Sequence, residues 1–224
     1  MAKKLKKKNK LKILPAIIFI IAVFLVVVII KFVLDSPIRN IYIYNNEILS
    51  DQEIIDEAHL SNYPSFLKVT SSSIKNRLLK NKLIKNVTIK KGFINKISIY
   101  VDEKKVLFKN KEQKIVLEDK TEIENLEVEA PKLLNYVPDT IYDNFIKEMS
   151  KIKDNIKREI SEIEYASTNY DSERFLLYMN DGNYVYLTLT KFDHLNYYND
   201  VYATLDGKKG ILYLDSGNHF KIMK

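Results

Sequence analysis

The sequence predicts an α+β protein in three parts: an N-terminal single transmembrane helix, a first folded module of order β-α-α-β-β, and a mixed β module built around a long amphipathic helix. Three observations carry this reading. An uncharged apolar run, Ile13 to Ile30, lies directly behind a lysine-rich start. Strand and helix periodicities then follow one another in a fixed order as far as Glu103, and short strands punctuated by turn residues occupy the remainder.

Charge separates the parts first. Residues 1–12 hold seven lysines and no acid, which leaves 29 of the 36 basic residues to balance 29 acidic ones, so the whole net charge of +7 belongs to the tail. Nucleic-acid affinity comes largely from neutralised phosphates and needs a basic face on the folded part. A balanced folded part argues against such a partner, and the close lysines Lys80, Lys82, Lys85, Lys90 and Lys91 read as a solvated helix and strand edge. The chain has no cysteine, so disulfides, thiol nucleophiles and thiolate metal ligands are excluded.

The apolar run of 18 residues spans about 27 Å as a helix, slightly less than a hydrocarbon core of about 30 Å. If Lys31 extends its amine to the interface, Phe32, Val33 and Leu34 complete a span over residues 13–34. Pro15 is expected in the first turn, where a missing N–H costs little. A cleavable secretory signal would have a shorter apolar region and an A-x-A-like site, whereas this run ends Phe32-Val33-Leu34-Asp35-Ser36-Pro37. The lysines place residues 1–12 in the cytoplasm by the positive-inside rule and everything beyond the span outside the membrane.

In the first module, Ile41 and Ile43 alternate with Tyr42 and Tyr44 as in a strand, and Asn45-Asn46 suits a turn. Ser50-Asp51-Gln52-Glu53 is a capping box that opens a helix carrying Ile54 and Ala58 on one face. The Ser71-Ser72-Ser73 run opens a second helix with Ile74 and Leu78 inward. Two strands, Ile84 to Lys90 and Lys96 to Val101, follow across Gly92-Phe93-Ile94-Asn95.

With the membrane span, this order resembles the DivIB and FtsQ family of bacterial cell-division proteins, in which a POTRA domain and then a β domain follow the anchor. The stretches that carry the resemblance are IRNIYIYNNEILSDQEIIDEAHL, SSSIKNRLLKNKLIKNVTIKK and KISIYVDEKKVLF. The family usually has Gly-Asn in the first turn and a proline before the third strand, where this chain has Asn45-Asn46 and Gly92-Phe93-Ile94. The resemblance implies a POTRA domain over residues 36–104 and a β domain over residues 105–224.

In the second module, Val106 to Phe108 and Lys114 to Glu118 are expected to pair as a hairpin. Ile141, Phe145, Met149, Ile152, Ile156 and Ile160 recur at steps of three or four, one apolar stripe of a helix from Asp139. Phe175 to Met179 and Tyr184 to Leu189 flank Asn180-Asp181-Gly182-Asn183, a strong hairpin signal. A short helix from about Phe192 to Thr204 precedes a last strand, Ile211 to Leu214, within GILYLDSGNHF, which resembles the closing strand of the family.

No catalytic constellation is expected. His59, His194 and His219 lack metal-binding spacing, no G-x-S-x-G, S-x-x-K or phosphate loop occurs, and five glycines leave little room for one. The adjacent carboxylates Asp102-Glu103 and Glu118-Asp119 sit at strand ends, where neighbours point to opposite faces. The reading is therefore of a non-catalytic protein without cofactor, metal or small-molecule substrate. The resemblance implies a divisome scaffold at the septum of a cell membrane, a single-pass type II protein that binds the bitopic partners DivIC/FtsB and FtsL and helps regulate septal peptidoglycan synthesis. The alternative is a POTRA-type chaperone for extracytoplasmic clients. Strand addition is the expected mode of binding, with Ile211, Leu212, Tyr213 and Leu214 as an open last strand. On that reading, proline at Leu212 abolishes partner binding and spares the first module.

Overall fold

The computed structural model describes residues 10–223, so residues 1–9 of the expected cytoplasmic tail lie outside the described residues. Helix α1, Lys10–Leu34, contains the apolar span Pro15–Leu34, whose 20 residues at 1.5 Å each make about 30 Å, the thickness of a hydrocarbon core. Pro15 is not in the first turn as expected but sixth in the helix. The helix starts within the lysine tail, and Pro15 therefore leaves the Leu11 carbonyl without its usual amide donor. Residues beyond the helix belong to two compact units, divided at Asp102 and Glu103.

The first unit has strand β1 (Asn40–Tyr44), helices α2 (Asp51–Glu57) and α3 (Ser71–Leu78), and strands β2 (Ile84–Gly92) and β3 (Lys96–Glu103), the order expected. Asn45 turns the chain with φ 66°, a left-handed value that asparagine tolerates. At α2 the Ser50 hydroxyl accepts from the Glu53 amide, and the Glu53 carboxylate accepts from the Ser50 amide at 2.8 Å. The α3 cap falls one residue before the serine run, on Thr70. The sheet order is β1-β3-β2, with β1 parallel to β3 and Ile41 opposite Ile97. Ile54, Ile74, Leu78, Val87, Ile97 and Ile99 are buried, whereas Tyr42 and Tyr44 stay on the open face, Tyr44 stacked on Tyr100 at 4.8 Å.

The second unit is one nine-stranded sheet with its helices packed on a common core. Its strands are β4 (Val106–Lys109), β5 (Ile115–Leu117), β6 (Glu122–Ile123), β7 (Lys132–Leu133), β8 (Ile160–Tyr165), β9 (Arg174–Met179), β10 (Tyr184–Thr188), β11 (Gly210–Tyr213) and β12 (His219–Ile222). They lie in the order β12-β11-β10-β9-β8-β7-β4-β5-β6. The expected hairpins β4–β5 and β9–β10 are both present.

The apolar stripe from Ile141 to Ile160 does not make one helix. Helix α4 is Asp139–Met149, a short helix α5 is Asp154–Lys157, and Ile160 opens β8. All six stripe residues are buried nonetheless, because a turn and a strand start can deliver apolar groups to the same core that a helix would. Likewise the helix expected near Phe192 to Thr204 is a 3-10 segment, Leu189–Tyr197, continued by helix α6, Tyr198–Ala203. Phe145 of α4 lies at the centre of the core, stacked on Phe175 at 4.7 Å, with Phe108 at 5.2 Å and Phe192 edge-on at 5.9 Å.

Candidate partner-binding edge

The C-terminal end of the large sheet is assembled on the β9–β10 hairpin. Gly182, at φ 85°, takes the left-handed position of the turn, and the Asp181 carboxylate accepts from the Asn183 amide at 2.9 Å. Asn183 is almost wholly buried, and its side chain ties three elements together. Its Nδ2 donates to Asp181 and to the Tyr198 hydroxyl of α6, each at 3.0 Å, while its Oδ1 accepts from the Gly210 amide at 2.8 Å. The Tyr198 hydroxyl donates to Asp181 at 2.8 Å. Burial, with the Asp181 carboxylate acting in the same direction, holds the Tyr198 phenol well above the ordinary tyrosine pKa, so it remains a donor at neutral pH. The entry to β11 is thereby fixed by a satisfied buried network.

From that start β11 runs parallel to β10, with Tyr184 opposite Ile211 and Tyr186 opposite Tyr213. The expectation that Ile211, Leu212, Tyr213 and Leu214 form an open last strand is corrected here. The outer side of β11 is occupied by β12 in antiparallel register, Ile211 opposite Lys221 and Leu212 opposite Phe220. Leu212 is buried, and Leu214 lies past the end of the strand. A proline at Leu212 would therefore break the sheet instead of blocking an edge. The chain reverses after β11 because Gly217 and Asn218 adopt left-handed backbone, φ 94° and 52°. The signal for β12 was present in the turn cluster Asp215-Ser216-Gly217-Asn218 followed by the alternating His219-Phe220-Lys221-Ile222.

Among the described residues no strand lies beyond β12, and the opposite edge of the sheet, β6, has only two residues. Ile222 is 52% exposed. The edge is held by side chains stacked across four successive strands. The Arg174 guanidinium of β9 lies 3.7 Å over Tyr186, Tyr186 stacks on Tyr213 at 5.5 Å, and Tyr213 stacks on His219 of β12 at 4.9 Å. Arg174 also pairs with Asp215 at 2.7 Å, both side chains being largely buried, which pins the loop between β11 and β12.

Gly210 sets how closely the two last strands approach. A Cβ there would lie within overlap distance of the Lys221 carbonyl oxygen and 2.7 Å from the Phe220 ring. Gly210→Val is expected to push β12 off the sheet at a cost of about 1–3 kcal/mol. Amide exchange checks this: residues 219–222 lose protection while β8 and β9 retain theirs.

The other residues singled out in the sequence do not converge. His59 sits at φ 56° after α2, His194 is in the 3-10 segment, and His219 places Nδ1 3.1 Å from the Ser216 carbonyl. Among the described residues no group of three or more His, Cys, Asp or Glu is arranged to hold a metal. Asp119 accepts from Lys104 at 2.5 Å. Lys90 lies over the Tyr100 ring, and Lys91 donates to the Val69 carbonyl at 2.7 Å.

A membrane-spanning helix, a small β-α-α-β-β domain and a β domain with an open C-terminal edge define a membrane-anchored POTRA protein; residues 36–104 match the POTRA domain of FtsQ type. The chain is 30% identical to the cell division protein DivIB of Bacillus subtilis (strain 168), covering 97% of this chain and 88% of that protein. It is 29% identical to DivIB of Bacillus anthracis, over 96% of this chain and 86% of the relative. The chain belongs to the DivIB family of cell division proteins. A solved structure, the major extracytoplasmic domain of the trans isomer of DivIB from Geobacillus stearothermophilus, is 23% identical with a TM-score of 0.39, covering 47% of this chain and 96% of that one.

Proposed function

We propose that the protein is a non-catalytic scaffold of the division machinery, a single-pass type II membrane protein concentrated at the septum with both folded modules outside the membrane. On this reading residues 36–104 and 105–224 act as a POTRA domain and a β domain. The protein binds DivIC/FtsB-like and FtsL-like bitopic division proteins and through them helps stabilise or regulate septal peptidoglycan synthesis. The observation that carries the reading is the open edge of β12 in a chain of a cell-division family. An extended partner segment can continue the sheet there by backbone hydrogen bonding, with side chains on alternate faces giving specificity.

Imaging tests the cellular half of the proposal. A fluorescent protein fused before Met1 matures in the cytoplasm if the topology is as proposed, and the signal is expected as a midcell band that constricts with the septum. Uniform envelope signal throughout the cell cycle would remove the septal placement and favour a general chaperone for extracytoplasmic clients.

A further inference from the structure

The hairpin between β2 and β3 ends in two apolar side chains with no cover: Phe93 is 97% exposed and Ile94 72% exposed. Ile94 sits at φ 58° and Asn95 at φ 54°. A β-branched residue is costly in left-handed backbone, and a tip needing only to turn would carry asparagine or glycine at that position. Two exposed apolar groups on a strained tip need a reason that the fold of the module does not supply.

The place of the tip supplies one. The Asn95 side-chain amide donates to the Ser36 hydroxyl at 2.5 Å and to the Pro37 carbonyl at 2.7 Å, and the Arg39 amide donates to the Asn95 carbonyl at 3.0 Å. The apolar span ends at Leu34. At no more than about 3.6 Å per residue, Ser36 and Pro37 lie within roughly 7–11 Å of that end, and the Asn95 side chain is one hydrogen bond further, close to an interfacial zone of roughly 5–8 Å per leaflet.

A second loop is tied to the same point. The Ser65 hydroxyl donates to the Leu34 carbonyl, the Phe66 amide donates to the Ser36 carbonyl at 2.9 Å, and Lys68 pairs with Asp35 at 2.6 Å. Leu67, between these, is 48% exposed. Of the lysines that flank the tip in sequence, Lys91 is bonded to the Phe66 and Val69 carbonyls and Lys96 lies over Tyr42, which leaves Lys90, exposed and over Tyr100, as the cation beside the apolar groups.

We propose that this end of the first module, Phe93 and Ile94 with Leu67 beside them, seats in the lipid interface of the leaflet from which α1 emerges. The module is then attached to the bilayer at two points, which limits its swing about Asp35 and Ser36. The occupant is lipid, because the neighbours of the exposed groups, Asn95, Ser65, Phe66 and Lys68, are bonded to residues 34–37, where the chain leaves the membrane.

The chain contains no tryptophan, so one can be introduced as the only such fluorophore. The full-length protein carrying Phe93→Trp is reconstituted into phosphatidylcholine vesicles with and without lipid brominated in the upper acyl chain. The comparison is Leu79→Trp, at a 40% exposed position at the C-terminal end of α3, five residues before β2 starts; β2, nine residues long, extends about 26 Å from its start toward the tip. Expected is a blue-shifted Phe93→Trp emission, quenched several-fold more strongly by brominated lipid than that of Leu79→Trp. Equal quenching of the two, with water-like emission from Phe93→Trp, overturns the proposal and leaves the membrane anchor and the septal reading untouched.

Discussion

Phe145→Ala is expected to destabilise the β domain by about 3–5 kcal/mol while the stability of the first module is unchanged. The ring touches Phe108 of β4, Phe175 of β9 and Phe192 of the 3-10 segment, so its removal opens a cavity where α4, the sheet and the C-terminal helical segment meet. Truncating a buried phenylalanine costs about 3–5 kcal/mol, against a total stability of about 5–15 kcal/mol for a typical domain. The first module has its own buried set, including Ile54, Ile74, Val87 and Ile99, and none of these residues lies in the unit that is disrupted. Urea unfolding monitored by amide exchange checks the result. Protection is expected to fall from residue 106 onward and to persist in β1 to β3; a loss below about 1 kcal/mol would mean that the aromatic cluster collapses to fill the space.

On the proposed function, Ile222→Pro is expected to weaken binding of the proposed DivIC/FtsB-like partner at least tenfold, about 1.4 kcal/mol, with the fold intact. The Met223 amide donates to the Lys209 carbonyl at 3.0 Å, and antiparallel pairs alternate between bonded and non-bonded. The amides of His219 and Lys221 therefore face β11, whereas those of Phe220 and Ile222 face outward. Proline at 222 removes an outward donor and places its ring where a partner strand would lie, without breaking the ladder to β11. Phe220 is a poorer target because it packs against the core. Lys221→Pro serves as the contrast: it removes an inward bond and should cost stability as well as binding. A folded Ile222→Pro protein that binds the partner as tightly as the parent would exclude the β12 edge, and the edge strands of the first module become the next candidates.

The features legible in the sequence are those decided within a few residues. The Ser50–Glu53 capping box, the Asn45 turn and the Asp181-Gly182 hairpin each depend on local hydrogen bonds and backbone preferences, and all three stand where the pattern put them. The membrane span is equally local, since length and uniform hydropathy suffice to define it. Apolar spacing identified the core side chains from Ile141 to Ile160 but not the path of the backbone between them. The same intervals suit one helix or two helices, a turn and a strand start, and only packing against β8 and the rest of the sheet selects the second.

Which strand lies at the edge of the large sheet depends on long-range pairing. Residues 211–214 read as the last strand because GILYLDSGNHF resembles the closing strand of the family, but an apolar strand is more apt to be interior to a sheet. The charged and half-exposed segment His219–Ile222 then takes the margin, as edge strands commonly do. The sequence by itself determined the anchor, the two-module order, the first module's elements and most core residues, because local propensity and periodicity are enough for these. Which strand ends the sheet, and that the Phe93-Ile94 tip lies beside the exit of the membrane helix, were decided only by tertiary structure, through contacts as distant as Asn95 with Ser36 and Arg174 with Asp215.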